Sequence, residues 1–290
     1  MKKVLTIIVT YNFEPWLDKC IQSLLNSTYP NDILILDNNS QDTTIQSINQ
    51  RYPSLRVIAN SSNLGFGRAN NVGLNIALEE GYDFAFLVNQ DAWIASDCLE
   101  KLITNYQPEF GIISPMHLDG TERNLDKGFA EYIKNATEKD NYGVAPFINA
   151  AFWLLPNQVL KNIGGFSPIF FHYGEDKDYA NRIGFHHLKI AFIKDAFAYH
   201  DRQNRPLKRE AHYKGEFVYH LTEYCNINYN WMTAFAKSFG AALKKGTIAL
   251  GKLNFYDGGS YLNIAWRIFC LTPKVIQTRS FNKRTQQAIL

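Results

Sequence analysis

Two polar groups that follow apolar runs have the chemistry of a divalent-metal site. Asn89-Gln90-Asp91 follows the apolar run 84–88, and His200 follows another such run. Mg²⁺ and Mn²⁺ are hard cations that bind one or two carboxylates together with phosphate oxygens. We therefore predict that Asp91 and His200 hold a divalent metal, Mg²⁺ or Mn²⁺. The alternatives are helix capping for Asp91 and an ordinary structural role for His200.

Three carboxylates, Glu175, Asp176 and Asp178, open the helical pattern 175–185. A carboxylate can act as a general base that takes the proton of an attacking hydroxyl, while its neighbour orients it. The alternative is structural, because negative charge is favourable at the N-terminus of a helix. The cluster is therefore a candidate catalytic group.

A third set of side chains suits a pyrimidine nucleoside diphosphate. Asp37 follows the apolar run 33–36 and could accept a hydrogen bond from the imide N–H of uracil or thymine, which cytosine lacks. Tyr11 could stack on the same base, and the fork of Arg68 suits phosphate oxygens. The alternatives are an Asx-turn at Asp37, sheet-edge packing for Tyr11 and an exposed surface arginine.

The elements that must position these residues alternate along residues 1–116. Strand-like runs at 4–9, 33–36, 57–59, 84–88 and 112–116 are separated by helical patterns, which predicts a mostly parallel sheet with helices on both faces. Ligands bind at the carboxyl ends of strands in such sheets. The candidate nucleotide-sugar ligands at those ends are Thr10, Tyr11, Asn12, Asp37, Asn39, Asn63, Gly67, Arg68, Asn89 and Gln90.

The second half has a different pattern. Residues 117–146 are polar and turn-rich and are interpreted as an excursion or a flexible loop, and 147–155 is strand-like. A short helix over 157–163 ends at a glycine pair, and two short strands are predicted at 190–193 and 197–199. We predict a catalytic domain over 1–205, with halves 1–116 and 147–205, and a helical amphipathic region over 206–290.

Missing sequence motifs, together with the composition, exclude several classes of protein. The first strand-like run is followed by Thr10-Tyr11-Asn12 rather than G-x-G-x-x-G, and the chain has no Walker A motif. Its four cysteines form no C-x-x-C pair, which favours a reducing compartment. Apolar runs are too short for a spanning helix or a signal peptide. Residues 206–290 hold 12 Lys/Arg and 4 Asp/Glu, which favours an anionic surface such as a membrane or simply a solvated basic face.

Seven motifs in order resemble family 2 glycosyltransferases of the GT-A fold, over about Val4 to His200. They are VTYN at 9–12, DNNSQD at 37–42, NSSNLGFGRANN at 60–71, NQD at 89–91, AAFWLLP at 150–156, IGGF at 163–166 and FFHYGEDKD at 170–178. The branch that includes bacterial rhamnosyltransferases of surface polysaccharides looks similar. The resemblance implies a GT-A type nucleotide-diphospho-sugar transferase fold with a helical C-terminal appendage.

The resemblance also implies roles for individual positions. Tyr11 and Asp37 would hold the base, Arg68 would lie near the pyrophosphate and Asn89 would touch the ribose. Asp91 and His200 would bind the metal, with Asn89 in place of the first Asp of the family's D-x-D motif. Asp176 would be the base, with Glu175 beside it. The acceptor side would be lined by Trp153, Phe171, Tyr173 and Asp178.

Together these observations predict an inverting glycosyltransferase. It would move a sugar from a UDP- or dTDP-linked donor to a hydroxyl of a glycan or lipid-linked acceptor in cell-surface polysaccharide synthesis. The expected location is cytoplasmic, with the basic C-terminal region on the inner membrane face. The alternative is a non-catalytic nucleotide-sugar or glycan-binding protein on the same fold. No nucleic-acid partner is expected, because the first two-thirds of the chain is acidic.

Overall fold

A computed structural model describes residues 1–202 and 209–285 as a ten-stranded sheet flanked by helices, with further helices at the C-terminal end. The strands are β1 Val4–Thr10, β2 Asp32–Asp37, β3 Arg56–Ala59, β4 Phe84–Asn89, β5 Ala92–Ile94, β6 Phe110–Asp119, β7 Thr137–Glu138, β8 Tyr142–Ala145, β9 Phe152–Pro156 and β10 Lys189–His200. The helices are α1 Leu17–Leu25, α2 Thr44–Arg51, α3 Phe66–Glu79, α4 Cys98–Thr104, α5 Lys127–Ile133, α6 Asn157–Ile163, α7 Glu175–Phe185, α8 Arg209–Cys225, α9 Trp231–Phe235, α10 Ala241–Gly251, α11 Phe255–Cys270 and α12 Thr272–Asn282, with a π-helical turn Ala236–Gly240 before α10.

The strand order is β3-β2-β1-β4-β9-β6-β10-β8-β7, and β5 pairs with β10. The first four strands in this order are all parallel, and β6 is parallel to β10. Strand β9 lies between β4 and β6 and runs antiparallel to both. Two reversals restore the direction, so the carboxyl ends of β1, β2, β4, β6 and β10 all lie at one edge of the sheet.

Both faces of the central strands are buried, as an unbroken apolar run requires. In β1, Val4 and Ile8 belong to the core cluster on one face, and Leu5 and Ile7 belong to the cluster on the other. Helical spacing places the apolar side chains of α1 against the first cluster. The predicted α/β fold class is confirmed.

The interpretation of 117–146 as a flexible loop is wrong. Strand β6 continues to Asp119, and α5, β7 and β8 follow. The Asp126 carboxylate caps α5 by accepting from the Phe129 N–H at 2.8 Å. Buried Phe129 stacks on His117, with ring centroids 4.4 Å apart. The Asp126 cap and the buried Phe129 side chain thus stabilise regular structure within the polar segment 117–146.

Two strand predictions also differ from the structure. Only the second part of 147–155 is a strand, because β9 begins at Phe152. The two strands predicted at 190–193 and 197–199 are one strand, β10, whose register shifts between Ile193 and Phe197. The shift accommodates the polar Lys194-Asp195 pair that interrupts the apolar pattern.

The C-terminal helices have their own apolar cluster. It includes Leu221, Tyr224, Ile264 and Val275, and it receives Phe170 from the loop before α7. None of the helices within residues 1–202 and 209–285 is long and apolar enough to cross a membrane. The predicted domain boundary at residue 205 lies outside the described residues, and the division into 1–205 and 206–290 stays a prediction.

Candidate active site

The carboxylate of Asp37 is held at the end of β2 by hydroxyl and amide donors. It is buried and accepts from Thr10 Oγ1 at 3.0 Å and from the Ser40 N–H at 2.9 Å. Ser40 Oγ also donates to this carboxylate and accepts from the Asn12 N–H at 2.9 Å. These bonds set the direction in which the remaining lone pairs of Asp37 point.

The loops beside Asp37 are built by asparagines. Asn12 and Asn39 have φ of 55° and 68°, a left-handed conformation that Asn tolerates better than most residues. Asn63 Oδ1 accepts from Asn38 Nδ2 and from the Gly65 N–H, both at 2.9 Å. Asn38 was not among the predicted site residues, although its buried amide joins the loops after β2 and β3.

Gln90 ties the end of β4 to the end of β1. Its side chain accepts from the Tyr11 N–H at 2.7 Å and donates to the Tyr11 carbonyl at 3.1 Å. The Tyr11 ring remains 43 % exposed and free to stack on a planar ligand. The Oδ1 atom of Asn89 is buried and has no hydrogen-bond partner among the described residues. This part of the sheet edge therefore offers one aromatic face and one unused acceptor.

Asp91 and His200 meet through the antiparallel pairing of β5 with β10. Ala92 lies opposite His200 in this ladder, and His200 Nε2 is 3.2 Å from Asp91 Oδ1. His200 is 5 % exposed, whereas 29 % of the Asp91 side chain is open to solvent. One imidazole and one carboxylate fit a hard or borderline divalent cation, Mg²⁺ or Mn²⁺. Among residues 1–202 and 209–285 no three His, Cys, Asp or Glu side chains form a complete metal cluster, so other ligands would have to come from phosphate and water.

The carboxylate pair of α7 lies against the same edge. The Ala151 carbonyl accepts from the Asn89 N–H at 3.0 Å, and the neighbouring Ala150 N–H lowers the pKa of Asp176. Burial raises the pKa of Asp176, while the Lys177 N–H, at 2.7 Å, counteracts the rise. Burial and the charge of Asp176 raise the pKa of Glu175 to about 8. Glu175 is therefore neutral at pH 7.

Two glycines let the start of α3 approach this carboxylate pair. A Cβ at Gly67 would lie 3.0 Å from Phe166 Cβ and 3.3 Å from Glu175 Cγ. A Cβ at Gly65, where φ is +81°, would lie 1.9 Å from the Phe171 carbonyl oxygen. These two glycines thus let the start of α3 pack closely against the loop before α7 and against Glu175 in its first turn.

Comparison with known families agrees with this geometry. Residues 6–164, more than half of the chain, match the family model "Glycosyl transferase family 2". The chain belongs to this family.

Known relatives of the glycosyltransferase include both sequences and structures. An N-acetylglucosaminyl-diphospho-decaprenol L-rhamnosyltransferase of Mycobacterium tuberculosis is 24 % identical over 259 residues, covering 76 % of this chain and 84 % of the relative. Staphylococcus aureus TarS 1–349 in complex with UDP-GlcNAc superposes with a TM-score of 0.58 at 15 % identity, covering 97 % of this chain and 88 % of that chain. A Pyrobaculum calidifontis mannosyltransferase with GDP-Man and Mn²⁺ gives 0.53 at 14 % identity, covering 97 % and 83 %. These likenesses confirm the GT-A fold.

Two acceptor-side predictions for the glycosyltransferase are wrong. Trp153 is fully buried, stacks on Phe166 with centroids 5.8 Å apart and donates to the Ile148 carbonyl, so it cannot stack on a sugar. Asp178 is 1 % exposed and accepts from Ser167 Oγ at 2.6 Å. Both residues are core rather than cleft.

The exposure of Phe171 and Tyr173 is compatible with their predicted roles, whereas the contacts of Arg68 are not those predicted. Phe171 and Tyr173 are 60 % and 68 % exposed and remain available to an acceptor. The guanidinium of Arg68 donates instead to the Pro168 carbonyl at 2.7 Å and lines a cavity of about 440 Å³ beside α12. None of the other predicted nucleotide-binding residues lines that cavity, so its contacts do not support the predicted role at the pyrophosphate.

Arg202 is a cationic residue of the glycosyltransferase that was not among the predicted site residues. Arg202 Nε lies 2.9 Å from Asp126 Oδ2, and the arginine side chain remains 40 % exposed. Burial raises the pKa of Tyr132, the nearby Arg202 opposes the rise, and the charge of Asp176 adds to it. The cap at Asp126 and the buried apolar residue Phe129 were the local signals that could have revealed the helix beside Arg202.

Proposed function

We propose that this glycosyltransferase moves a sugar, with inversion, from a UDP- or dTDP-linked donor to a hydroxyl of a glycan or lipid-linked acceptor in cell-surface polysaccharide synthesis. The observation that carries the proposal is the common sheet edge, where the ends of β1, β2, β4 and β10 meet the first turn of α7. A rhamnosyl donor is the specific expectation, since the Mycobacterium tuberculosis relative is a rhamnosyltransferase acting on a diphospho-decaprenol substrate.

The donor base would bind at Asp37. Thr10 and Ser40 hold the Asp37 carboxylate in one orientation, so a uracil or thymine imide N–H would meet an acceptor that needs no reorganisation. The exposed ring of Tyr11 would cover the face of the base. Cytosine presents a lone pair at the same position, so it would be repelled.

Asp91 and His200 would hold Mg²⁺ or Mn²⁺, and Asn89 Oδ1, which has no hydrogen-bond partner in the part of the chain that the structure describes, is a polar atom close by in sequence. The bound metal would neutralise the departing nucleoside diphosphate. The Arg202 side chain, which is 40 % exposed and lies two residues after His200, would supply a second positive charge and bind phosphate oxygens. We propose Arg202, rather than Arg68, as the phosphate-binding arginine.

Asp176 would act as the general base. The acceptor hydroxyl oxygen forms a bond to the anomeric carbon as the bond from that carbon to the diphosphate oxygen breaks, and the hydroxyl proton passes to Asp176. The raised pKa of Asp176 makes it a better proton acceptor, and the N–H groups of Lys177 and Ala150 orient it. Glu175, neutral at pH 7, adds no competing negative charge.

Asp176→Asn tests the catalytic proposal against the non-catalytic alternative. Nucleoside diphosphate release from UDP- and dTDP-sugars is measured beside binding of UDP by thermal shift. We expect turnover to fall by at least about a hundredfold with UDP binding retained, because only the base is lost. Asp195→Asn, at an exposed position of β10, is the matched control. Equal turnover in Asp176→Asn and the parent would refute the role of Asp176 as base.

A thermal-shift panel of UDP, dTDP, CDP and GDP, with and without Mn²⁺, tests the donor and the metal. A ligand that binds only the folded state raises its apparent stability according to its affinity. We expect the uracil and thymine nucleotides to give the larger shifts and Mn²⁺ to increase them. Equal shifts with CDP would contradict base recognition by Asp37.

A further inference from the structure

The helical hairpin formed by α10 and α11 is closely packed on its inner side. A Cβ at Gly258 would lie 2.5 Å from Leu250 Cδ2, and one at Gly246 would lie 3.1 Å from Leu262 Cδ2. The absence of side chains at these two glycines lets the helices approach closely. The hairpin therefore presents its outer side chains on a rigid support.

The turn of this hairpin exposes apolar side chains. Leu253 has φ of 57°, a conformation uncommon for leucine, and its side chain is 76 % exposed. Phe255 and Tyr256 follow it and are 69 % and 54 % exposed. Asn254 caps α11 by accepting from the Asp257 N–H at 3.2 Å, which holds the turn in place. The turn thus directs a leucine and an aromatic pair into solvent.

The exposed face of α11 continues this apolar surface. Helix α11 exposes the uncharged residues Phe255, Gly259, Asn263, Trp266 and Cys270 at a spacing of three or four residues, which places them on one side of the helix, and the exposed, charged Arg267 lies next to them. Trp266 stacks on half-exposed Phe269, with centroids 6.1 Å apart. Leu253, Phe255, Trp266 and Phe269 are thus large apolar side chains exposed on one hairpin, and such a group of exposed apolar side chains marks an interaction site.

The charges around this surface are positive. Residues 241–270 contain four Lys or Arg and a single acid, Asp257, which is bound by Arg209 Nη2 at 2.6 Å. Lys245 pairs with Glu216 at 2.5 Å, whereas Lys244 and Lys252 form no ion pair within residues 1–202 and 209–285. Apolar side chains with flanking unpaired lysines complement a bilayer surface that carries anionic head groups.

We propose that the α10–α11 hairpin docks on an anionic lipid bilayer. Leu253, Phe255 and Trp266 would enter the head-group region, and Lys244 and Lys252 would lie against the phosphates. Such docking would hold the sheet edge near a lipid-linked acceptor. The docking itself does not depend on which sugar is transferred, and it can be measured without donor.

Flotation with equimolar phosphatidylcholine–phosphatidylglycerol vesicles tests the proposal, beside vesicles of phosphatidylcholine alone. We expect the parent protein to float with the anionic vesicles and to be released as salt rises. The double variant Leu253→Ser/Phe255→Ser should bind at least about tenfold more weakly with its salt dependence retained. Lys244→Glu/Lys252→Glu should lose roughly fivefold or more per lysine together with much of the salt dependence.

Leu25→Ser and Lys161→Glu are the matched controls, since both side chains are exposed and lie outside the C-terminal helices. Unchanged thermal denaturation of each variant excludes misfolding. Trp266 gives a second readout: its emission should shift to shorter wavelength with anionic vesicles, and the shift should be reduced in Trp266→Phe.

Failure of the parent protein to float at low salt would overturn the proposal, as would equal flotation of the hairpin variants. A second copy of the chain is the alternative partner of this surface, and sedimentation velocity tests for it. A dimeric parent that becomes monomeric in Leu253→Ser/Phe255→Ser would assign the surface to dimerisation and refute docking on lipid. Because no donor is present, neither outcome depends on whether the sugar-transfer proposal holds.

Discussion

Replacing Glu175 by Gln should change the pH dependence of stability in a direction that the structure specifies. The pKa of Glu175 is about 8 in the folded state and 4.5 as an ordinary side chain. Between these values the folded protein keeps a proton that the unfolded chain releases, so the free energy of unfolding falls as pH rises. From pH 4.5 to pH 7 the loss amounts to about 3 kcal/mol, at 1.36 kcal/mol per pH unit. The stability from this group is complete below pH 4.5 and is lost by pH 8.

The variant Glu175→Gln lacks the titrating group, so its free energy of unfolding should rise relative to the parent by about 3 kcal/mol over that interval. Urea unfolding followed by circular dichroism at several pH values measures the difference directly. Glu79→Gln, at an exposed position near the end of α3, is the matched control and should run parallel to the parent. Parallel curves for Glu175→Gln and the parent would mean that Glu175 is ionised in the folded protein, and the assignment of a neutral glutamic acid would be wrong.

Three further changes examine the site. Gly67→Ala should lower the melting temperature, with a loss on the order of 1–3 kcal/mol, since its Cβ would press on Phe166 and Glu175; an unchanged melting temperature would show that the packing can relax. Arg202→Ala should weaken UDP binding by about tenfold or more and Arg202→Lys by less, measured by calorimetry; equal affinities would remove Arg202 from the phosphate site. Asp91→Asn should abolish the Mn²⁺-dependent part of the thermal shift given by UDP, and its persistence would refute Asp91 as a metal ligand.

The sheet edge could be predicted from the sequence because strands buried on both faces have distinctive apolar runs. The residue that follows each run then lies at the carboxyl end, as for Asp37 and Asn89. The positions of Asp91 and His200 after apolar runs also predicted that they share a metal, but not the strand pairing that brings them together. That pairing depends on β5, a three-residue strand, and on an antiparallel ladder between residues more than a hundred positions apart.

The cluster of Asp126, Tyr132 and Arg202 was missed for a related reason. Its helix α5 is only seven residues long and lies in a polar segment, so periodicity carries little information there. The cap at Asp126 and the buried anchor Phe129 determine the helix locally. Recognising them from sequence requires reading individual positions rather than a pattern.

The carboxylates of α7 show how helix phase separates structure from chemistry. Glu175, Asp178 and Arg182 are spaced by three and four residues, so they share the inner side of the helix, and each is at most 4 % exposed. Asp176 lies about 100° away around the helix axis and is only half-buried, next to the Ala150 N–H. The three acids look equivalent in sequence, and of these Asp176 is the one whose position fits the proposed general base. The Asp178 carboxylate instead contacts the buried side chains of Ser167 and Arg182. Exchanging the roles of Asp176 and Asp178 would require rotating the helix by about half a turn, which the buried Arg182 forbids.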